Sequence, residues 1–291
     1  MKRPAYIILC ISAVLSAYGC TGNHTRPAVV RENICFNVAV NPNTRADASP
    51  ETSYPEDVPF AVWAFDEEGA AVLENTPSEP ISEGYWQPQG GMLWPEDGSE
   101  LMFCALSPYG RGSYVEGKGI VYEDYDITEG IDLLYTGAMD SRGQTWSHGI
   151  VPLDFRHALA TVRFSARSQF GEEPQLTIRR ITLEGIATCG SFASLPSARW
   201  TSLGKYGERT VFEGSATIGE TRAVIDKGTY QIPQEGAVTV KVLFDFVNGG
   251  SSLTGQEIEA EVEMNLGSGK VTQYLLTINR SFDLSIEKDN A

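Results

Sequence analysis

The side chains that could do acid–base or metal chemistry are few in this sequence. There are three histidines, His24, His148 and His157, and neither a GxSxG nucleophile elbow nor an HExxH zinc motif occurs. His157 shares a period-two phase with the apolar Phe155 and Leu159, so we expect a hydrogen-bonded core side chain there and not a base or ligand. The sequence therefore contains no recognisable catalytic constellation, and we expect a protein that is not an enzyme.

Two other stretches resemble ligand sites but fit simpler structures. Gly267-Ser268-Gly269-Lys270 hints at a phosphate loop, yet Val271 replaces the required Ser or Thr, so we expect a hairpin turn between two strands. An acidic group could offer oxygens to calcium, but it lacks EF-hand spacing and suits a solvated loop. Its members are Glu123, Asp124, Asp126, Glu129 and Asp132. We therefore expect neither a metal nor a cofactor.

Two binding or catalytic alternatives stay open on composition alone. A glycosidase needs two carboxylates at a fixed separation, and 38 acidic residues supply many pairs without any supporting motif. Exposed aromatic side chains could instead stack on a sugar of a host glycan. The candidates are Tyr109, Tyr114, Tyr122 and Tyr125.

The sequence gives clearer signs of processing sites on the chain itself than of a catalytic site. Lys2 and Arg3 precede an apolar run over residues 5–15, which is too short to span a bilayer, and small residues lead to Cys20. This order is typical of a secretory signal over residues 1–19. A cysteine at the cut predicts a lipoprotein with Cys20 lipidated as the first mature residue. Because Tyr18 departs from the usual lipidation motif, plain secretion is the alternative.

A second processing site follows a short predicted strand within residues 20–45. The strand's apolar residues Ile34, Phe36, Val38 and Val40 fall on every second position, which predicts a half-buried β-strand. Asn and Pro residues end it, and Arg45-Ala46 then opens a polar run. The sequence therefore predicts an apolar strand that a protease could detach by cutting after Arg45, leaving an open groove.

The rest of the chain predicts an all-β protein. Its strong apolar patterns have period two and are separated by turns rich in Gly, Pro, Asp and Ser, which favours antiparallel sandwiches. The 246 residues after Arg45 suit two domains better than one. We place them at residues 46–168 and 169–291, with residues 169–174 as the linker and residues 141–149 as its competitor. A phase shift near Ala158–Ala160 predicts a bulge or bend.

Charge and cysteines narrow the partners and the compartment. A net charge of −16 argues against nucleic acid or anionic lipid as a partner. Cys104 lies in a run that is apolar on both faces, so we expect a buried thiol, and a bridge from Cys104 to Cys189 is an open alternative. The cysteine spacing matches neither a disulfide framework nor a metal site.

One motif lies in the stretch from Val151 to Phe164, and its central residues are Phe155-Arg156-His157-Ala158-Leu159-Ala160-Thr161-Val162. This motif resembles the F-x-H-x-L-A-x-[VI] signature of the fimbrillin-like (Mfa-like) family of Bacteroides-type bacteria. Segments 94–108, 132–135 and 181–190 agree with it in the same order. The resemblance implies two transthyretin-like β-sandwich domains in tandem and assembly into type V pili on the cell surface. It also implies an arginine-specific protease that cuts after Arg45, so that a neighbouring subunit can add its strand.

The same resemblance leaves the role within the pilus open. Phe282, Leu284 and Ile286 form a candidate donor strand for another subunit, and the last strand of the second domain is the competing interpretation. The family includes stalk, tip and anchor subunits, and an anchor keeps its first strand uncut. A lipid-anchored adhesin that binds a glycan or a host protein without polymerising is the alternative function.

Overall fold

The computed structural model describes residues 32–40, 54–136, 145–171 and 174–289. Within these ranges the regular structure is β-strand, apart from one 3-10 turn at Ile127–Glu129. No helix in this part of the chain is long and apolar enough to cross a membrane. The prediction of an all-β protein is confirmed.

Two groups of strands follow one another along the chain. The first ten are β1 (Cys35–Val40), β2 (Ala61–Phe65), β3 (Ala71–Ser82), β4 (Tyr85–Pro88), β5 (Leu101–Ser107), β6 (Gly112–Val115), β7 (Gly119–Asp126), β8 (Leu134–Thr136), β9 (Thr145–Trp146) and β10 (Ile150–His157). The others are β11 (Ala160–Ser168), β12 (Gln175–Ala193), β13 (Arg199–Ile218), β14 (Ala223–Val224), β15 (Thr229–Gln231), β16 (Gln234–Asn248), β17 (Ser251–Leu266), β18 (Val271–Ile278) and β19 (Leu284–Lys288).

The first group contains a sheet that closes on itself. Its seven strands pair in the order β2, β3, β4, β1, β10, β8 and β5, and β2 pairs again with β5 to complete the ring; β9 adds to β5 outside it. Closure leaves the ring strands with a neighbour on both sides, which removes sheet edges. We call this ring the first lobe. It differs from the predicted transthyretin-like sandwich, because its apolar core lies inside a closed sheet and not between two separate sheets.

The second group, joined by β6 and β7 from the first, forms two layers around its own core. One sheet has the order β14, β11, β18 and β19, with β15 beside β11, and the other runs β17, β16, β12, β7 and β6, with β13 on β12. Strand β16 buries Val238, Val240, Val242 and Phe244 on one phase, as its alternation predicts. Together with β11 and β18 these residues form one apolar cluster. We call this part the second lobe.

The chain crosses between lobes at the bend predicted near Ala158–Ala160. Strand β10 ends at His157 in the first lobe, and β11 begins at Ala160 in the second. Strand β11 contributes to the second core, although it lies before the predicted boundary at residue 168. The described residues from Glu32 onward form one compact unit, so that two-domain division stays a prediction.

A third apolar cluster covers the outer face of the ring at β2 and β5. Trp63 of β2 and Leu106 of β5 point outward and pack with β7 and with Phe192 near the end of β12. Val62 of β2 and Ala105 of β5 point inward to the ring core. These two strands are therefore buried on both faces, and their outer face contacts strands that lie outside the ring as well as Tyr135 of β8.

The segment Gly267–Lys270 is a turn, and the predicted hairpin is wrong. The Lys270 amide donates to the Gly267 carbonyl at 3.1 Å, and Gly269 has φ +67. The strands on either side lie in different sheets, since β17 pairs with β16 while β18 pairs with β11 and β19. The turn carries the chain from one layer of the second lobe to the other.

Candidate functional site: the seat of strand β1

The first strand occupies the interior of the ring with one face. Ile34 and Phe36 are fully buried, and Val38 and Val40 are 5% and 6% exposed. On the other face Asn37 is exposed, and Cys35 and Ala39 are half-buried. The alternation read from the sequence is therefore the alternation between core and surface.

The floor beneath β1 is largely aromatic. The Phe36 ring meets Phe103 edge-on at a centroid distance of 5.7 Å and Phe60 at 6.3 Å. Phe60 in turn contacts Trp86 at 5.1 Å and Phe155 at 5.3 Å. Such edge-to-face pairs stabilise a core by about 0.5–1.5 kcal/mol each beyond area burial. Phe36 is thus fully buried against the aromatic floor of the ring.

Backbone hydrogen bonds hold β1 on both sides. It runs parallel to β10 with Cys35 opposite Ile150 and Val40 opposite Phe155, and antiparallel to β4. Before the strand, the Ile34 amide donates to the Met92 carbonyl at 2.7 Å. Without β1, the facing edges of β10 and β4 would have unpaired amides and carbonyls above an apolar floor.

Tyr54 anchors the chain where it re-enters the described residues. Its ring stacks on Phe155 at 5.1 Å, and its hydroxyl donates to Oγ of Ser107 at 2.6 Å. Burial raises the pKa of the Tyr54 phenol well above its ordinary value of 10.0. The chain is therefore fixed in the same core before and after residues 41–53. Arg45 and Ala46, the predicted cleavage pair, fall in that interval, outside the described residues, as does Cys20.

The acidic group considered for calcium is divided among separate partners. Oδ1 of Asp126 accepts from the Thr128 amide at 3.0 Å and its hydroxyl at 2.6 Å, and these bonds lower the Asp126 pKa. Oε1 of Glu129 lies 3.5 Å from Arg111. Oδ2 of Asp132 lies 2.5 Å from Nδ1 of His157, which is buried as predicted. Within the described ranges no group of three potential ligands could hold a metal ion.

The cysteines and tyrosines also occupy structural positions. Cys104 and Cys189 are both buried free thiols in the described part of the chain, and burial raises the pKa of Cys104. Tyr122 and Tyr125 are buried in the cluster that covers β2 and β5, so they are not available to a sugar. Of the four tyrosines considered, Tyr109 is the exposed one.

The fimbrillin-like family model matches residues 44–291, which is most of the chain. The chain belongs to the fimbrillin-like family. No curated protein sequence matches it.

Solved structures share the fold of this fimbrillin-like chain at low identity. A fimbrial protein from Bacteroides vulgatus has a TM-score of 0.55 at 16% identity and covers 89% of this chain and 98% of its own. Proposed cell adhesion proteins from Bacteroides uniformis and Bacteroides ovatus have TM-scores of 0.58 and 0.57 at 14% and 15% identity. They cover 88% and 89% of this chain and 97% and 96% of their own. At these identities the likeness concerns the fold.

In this fimbrillin-like chain the candidate donor segment lies within the second lobe. Strand β19 pairs antiparallel with β18, with Leu284 opposite Ile278, and Leu284 and Ile286 pack against the second core. The Phe282 ring stacks on Phe244 at 5.7 Å and has φ +63. This arrangement is the competing interpretation from the sequence, the last strand of the second domain.

We call the place of β1 in the ring, between β10 and β4 and above Phe60, Trp86 and Phe103, its seat. The sequence did not predict the residues that line it. Phe60, Phe103 and Trp86 lie on three different segments, and the pattern of each predicts a buried strand without saying which strand it faces. The available signal was the density of aromatic residues in this half of the chain. Only the closed order of the strands brings them beneath β1.

We expect Phe36→Ala to lower the free energy of unfolding by about 3–5 kcal/mol, because it empties a fully buried aromatic site. Urea unfolding followed by tryptophan fluorescence measures the change. Asn37→Ala, one residue away on the exposed face, serves as the matched control and should change stability by at most about 0.5 kcal/mol. Equal effects at both positions would contradict the buried seat.

A second expectation concerns Tyr54. Tyr54→Phe should cost about 1 kcal/mol near neutral pH, because the bond to Ser107 is lost. Since the folded-state pKa is raised, the unfolded chain ionises first, and the wild type loses stability as pH rises above about 10. The phenylalanine variant has no phenol at this position to ionise and does not lose this part of its stability. The difference in free energy of unfolding between the two proteins should therefore narrow between about pH 8 and about pH 11. A gap that widens over this range would be the contrary result.

Proposed function

We propose that this chain is a cell-surface fimbrial subunit of the type V pilus kind. It is exported as a lipoprotein through Cys20, cut after Arg45 by an arginine-specific protease, and joined to other pilus subunits by strand exchange. The observation that carries the proposal is the seat of β1. A strand that is a full member of a closed sheet lies directly before the predicted cleavage pair.

The energetics favour a durable joint. Four buried side chains hold this segment in place: Ile34 just before β1, and Phe36, Val38 and Val40 within it. Each stabilises the bound segment by roughly 1.5–3 kcal/mol, and each hydrogen bond adds about 1 kcal/mol net. A strand from another subunit with the same alternation would gain the same contacts. An empty seat would expose apolar side chains and the unpaired backbone edges of β10 and β4, so the empty state is unfavourable. Assembly therefore proceeds by replacing β1 directly with the incoming strand.

The ring has the means to survive the exchange. Strands β2 and β5 are packed on their outer face against β7 and the end of β12, and none of these contacts involves β1. Tyr54 holds the new start of the chain in the ring core. The matched family range supports the same division, because it begins at residue 44 whereas β1 ends at Val40. The matched range thus excludes β1 and begins two residues before the proposed new start at Ala46.

The proposed partners follow from this route. The lipid on Cys20 tethers the uncut chain to the outer membrane, and cleavage after Arg45 releases it into the fimbrium. The acidic surface, with a net charge of −16, suits an exposed extracellular protein and disfavours nucleic acid. An adhesive role toward a host protein or glycan belongs to the assembled fimbrium.

One observation favours a second function, a lipid-anchored adhesin or pilus anchor that keeps β1. The strand is already buried and bonded on both sides in the uncut chain, so the uncut form is a complete fold. In that role the protein would bind a glycan or protein at the surface, or hold the base of the pilus, without polymerising.

We expect Arg45→Ala to leave the surface protein uncut and monomeric, because the arginine that the protease recognises is gone. Gel filtration and mass spectrometry of the native N-terminus measure both effects. The wild type should begin at Ala46, whereas the variant, like the anchor alternative, should begin at lipidated Cys20.

Two control variants sharpen this test. Arg31→Ala removes an arginine just before β1 and should leave cleavage after Arg45 intact. Arg45→Lys should block an arginine-specific protease but not one that also accepts lysine. Normal polymerisation of the Arg45→Ala protein would contradict the proposed function.

A further inference from the structure

The two sides of β1 are bonded unequally along its length. Strand β10 pairs with every residue from Cys35 to Val40. On the other side, β4 pairs with Phe36 and Asn37 only, and the last described bond on that side runs from the Val38 amide to the Gly84 carbonyl at 3.0 Å.

The β3–β4 hairpin explains where the second side ends. Its turn lies at Glu83–Gly84, where Gly84 has φ +75, and β4 begins at Tyr85. Since the hairpin turns back opposite Val38, Ala39 and Val40 extend past it. In the described part of the chain, these two residues pair with β10 alone.

The beginning of the strand is held more firmly. The Trp94 amide donates to the Glu32 carbonyl at 3.1 Å, and Asn33 forms an antiparallel bridge with Leu93. Ile34 and Phe36 are the larger side chains and are fully buried. Opening the segment from this end breaks the bonds to residues 92–94 and then, from Cys35 and Phe36 onward, the bonds to β10 and β4. It also exposes an aromatic ring at the second buried position.

We propose that an incoming strand enters at the Val38–Val40 end of the seat and displaces β1 from there toward Ile34, running parallel to β10. This inference rests on the proposed function and specifies the order of the exchange. The occupant is an extended segment of another polypeptide chain with an apolar residue at every second position. It first covers the positions of Val40 and Val38, then fills the aromatic pocket of Phe36, and last takes the place of Ile34.

The same geometry explains why cleavage controls the exchange. In the uncut chain, the Val40 end is tied through residues 41–53 to Tyr54, which is anchored in the core by Ser107 and Phe155. Cleavage after Arg45 breaks this tie next to the Val40 end of β1, which is the end that pairs with β10 alone. The entry point is thus made available by the cut itself.

The test measures strand exchange on protein cut after Arg45 with its β1 still seated. A fluorescent peptide with the sequence of residues 32–45, carrying Cys35→Ser, is added in excess, and anisotropy reports its uptake. We expect Val40→Thr in the peptide to slow uptake about tenfold, since a buried hydroxyl weakens the first contact. Ile34→Thr should leave the uptake rate within about twofold and instead speed release of the bound peptide.

The resident strand provides the reciprocal measurement. Val40→Thr in the protein should speed displacement of β1 more than Ile34→Thr does, with circular dichroism checking that both variants are folded. Uncut Arg45→Ala protein, as the control, should take up no peptide. Equal or reversed sensitivity at the two ends, with exchange intact, would overturn the order of entry alone. No uptake by cut wild-type protein would refute the proposed function as well.

Discussion

Closure of the first sheet is the constraint on which the rest of this structure depends. A strand within a closed ring pairs on both sides, so none can leave without exposing two edges and the core between them. Strand β1 is the one ring strand whose chain continues into the predicted cleavage pair at Arg45-Ala46. Its inward side chains, Phe36, Val38 and Val40, are as buried as those of the other ring strands, and so is Ile34 directly before it. The ring is therefore complete with β1 and incomplete in one defined place without it.

The contacts that stabilise the ring are divided between two apolar clusters. The inner cluster contains β1, whereas the outer cluster joins β2 and β5 to strands that reach across from the second lobe. The contacts of Trp63 and Phe192 belong to the outer cluster and are independent of what fills the seat. Local opening with the remaining structure intact is the behaviour expected when cooperative units are packed separately.

The sequence predicted the elements better than their arrangement. The alternation in β1 and β16 and the bend at Ala158–Ala160 were predicted correctly, because period-two burial is a local property of the chain. Ring closure was not predicted, since the pairing of β2 with β5 joins residues such as Ala61 and Leu106 whose patterns fit any buried strand. The turn at Gly267–Lys270 was misjudged for the same reason. Its residues predict a turn but not whether the next strand pairs back or crosses to another sheet.

The candidate site divides in the same way. Its occupant could be found from sequence, since Ile34, Phe36, Val38 and Val40 fall on every second position of one short segment. The lining could not, because Phe60, Trp86 and Phe103 come from separate segments of the chain and meet only through the ring.

The parallel pairing of β1 with β10 bears on how a replacement strand is recognised. Cys35 faces Ile150, a residue far along the chain, so no short turn sets the register of this pair. Register is then determined by side chains alone, and a slip of one residue would turn Phe36 and its companions out of the core. The fully buried ring of Phe36 between Phe60 and Phe103 makes such a slip costly. A seat of this kind selects its occupant by phase and by the size of one residue, which requires no covalent link between the strand and the ring.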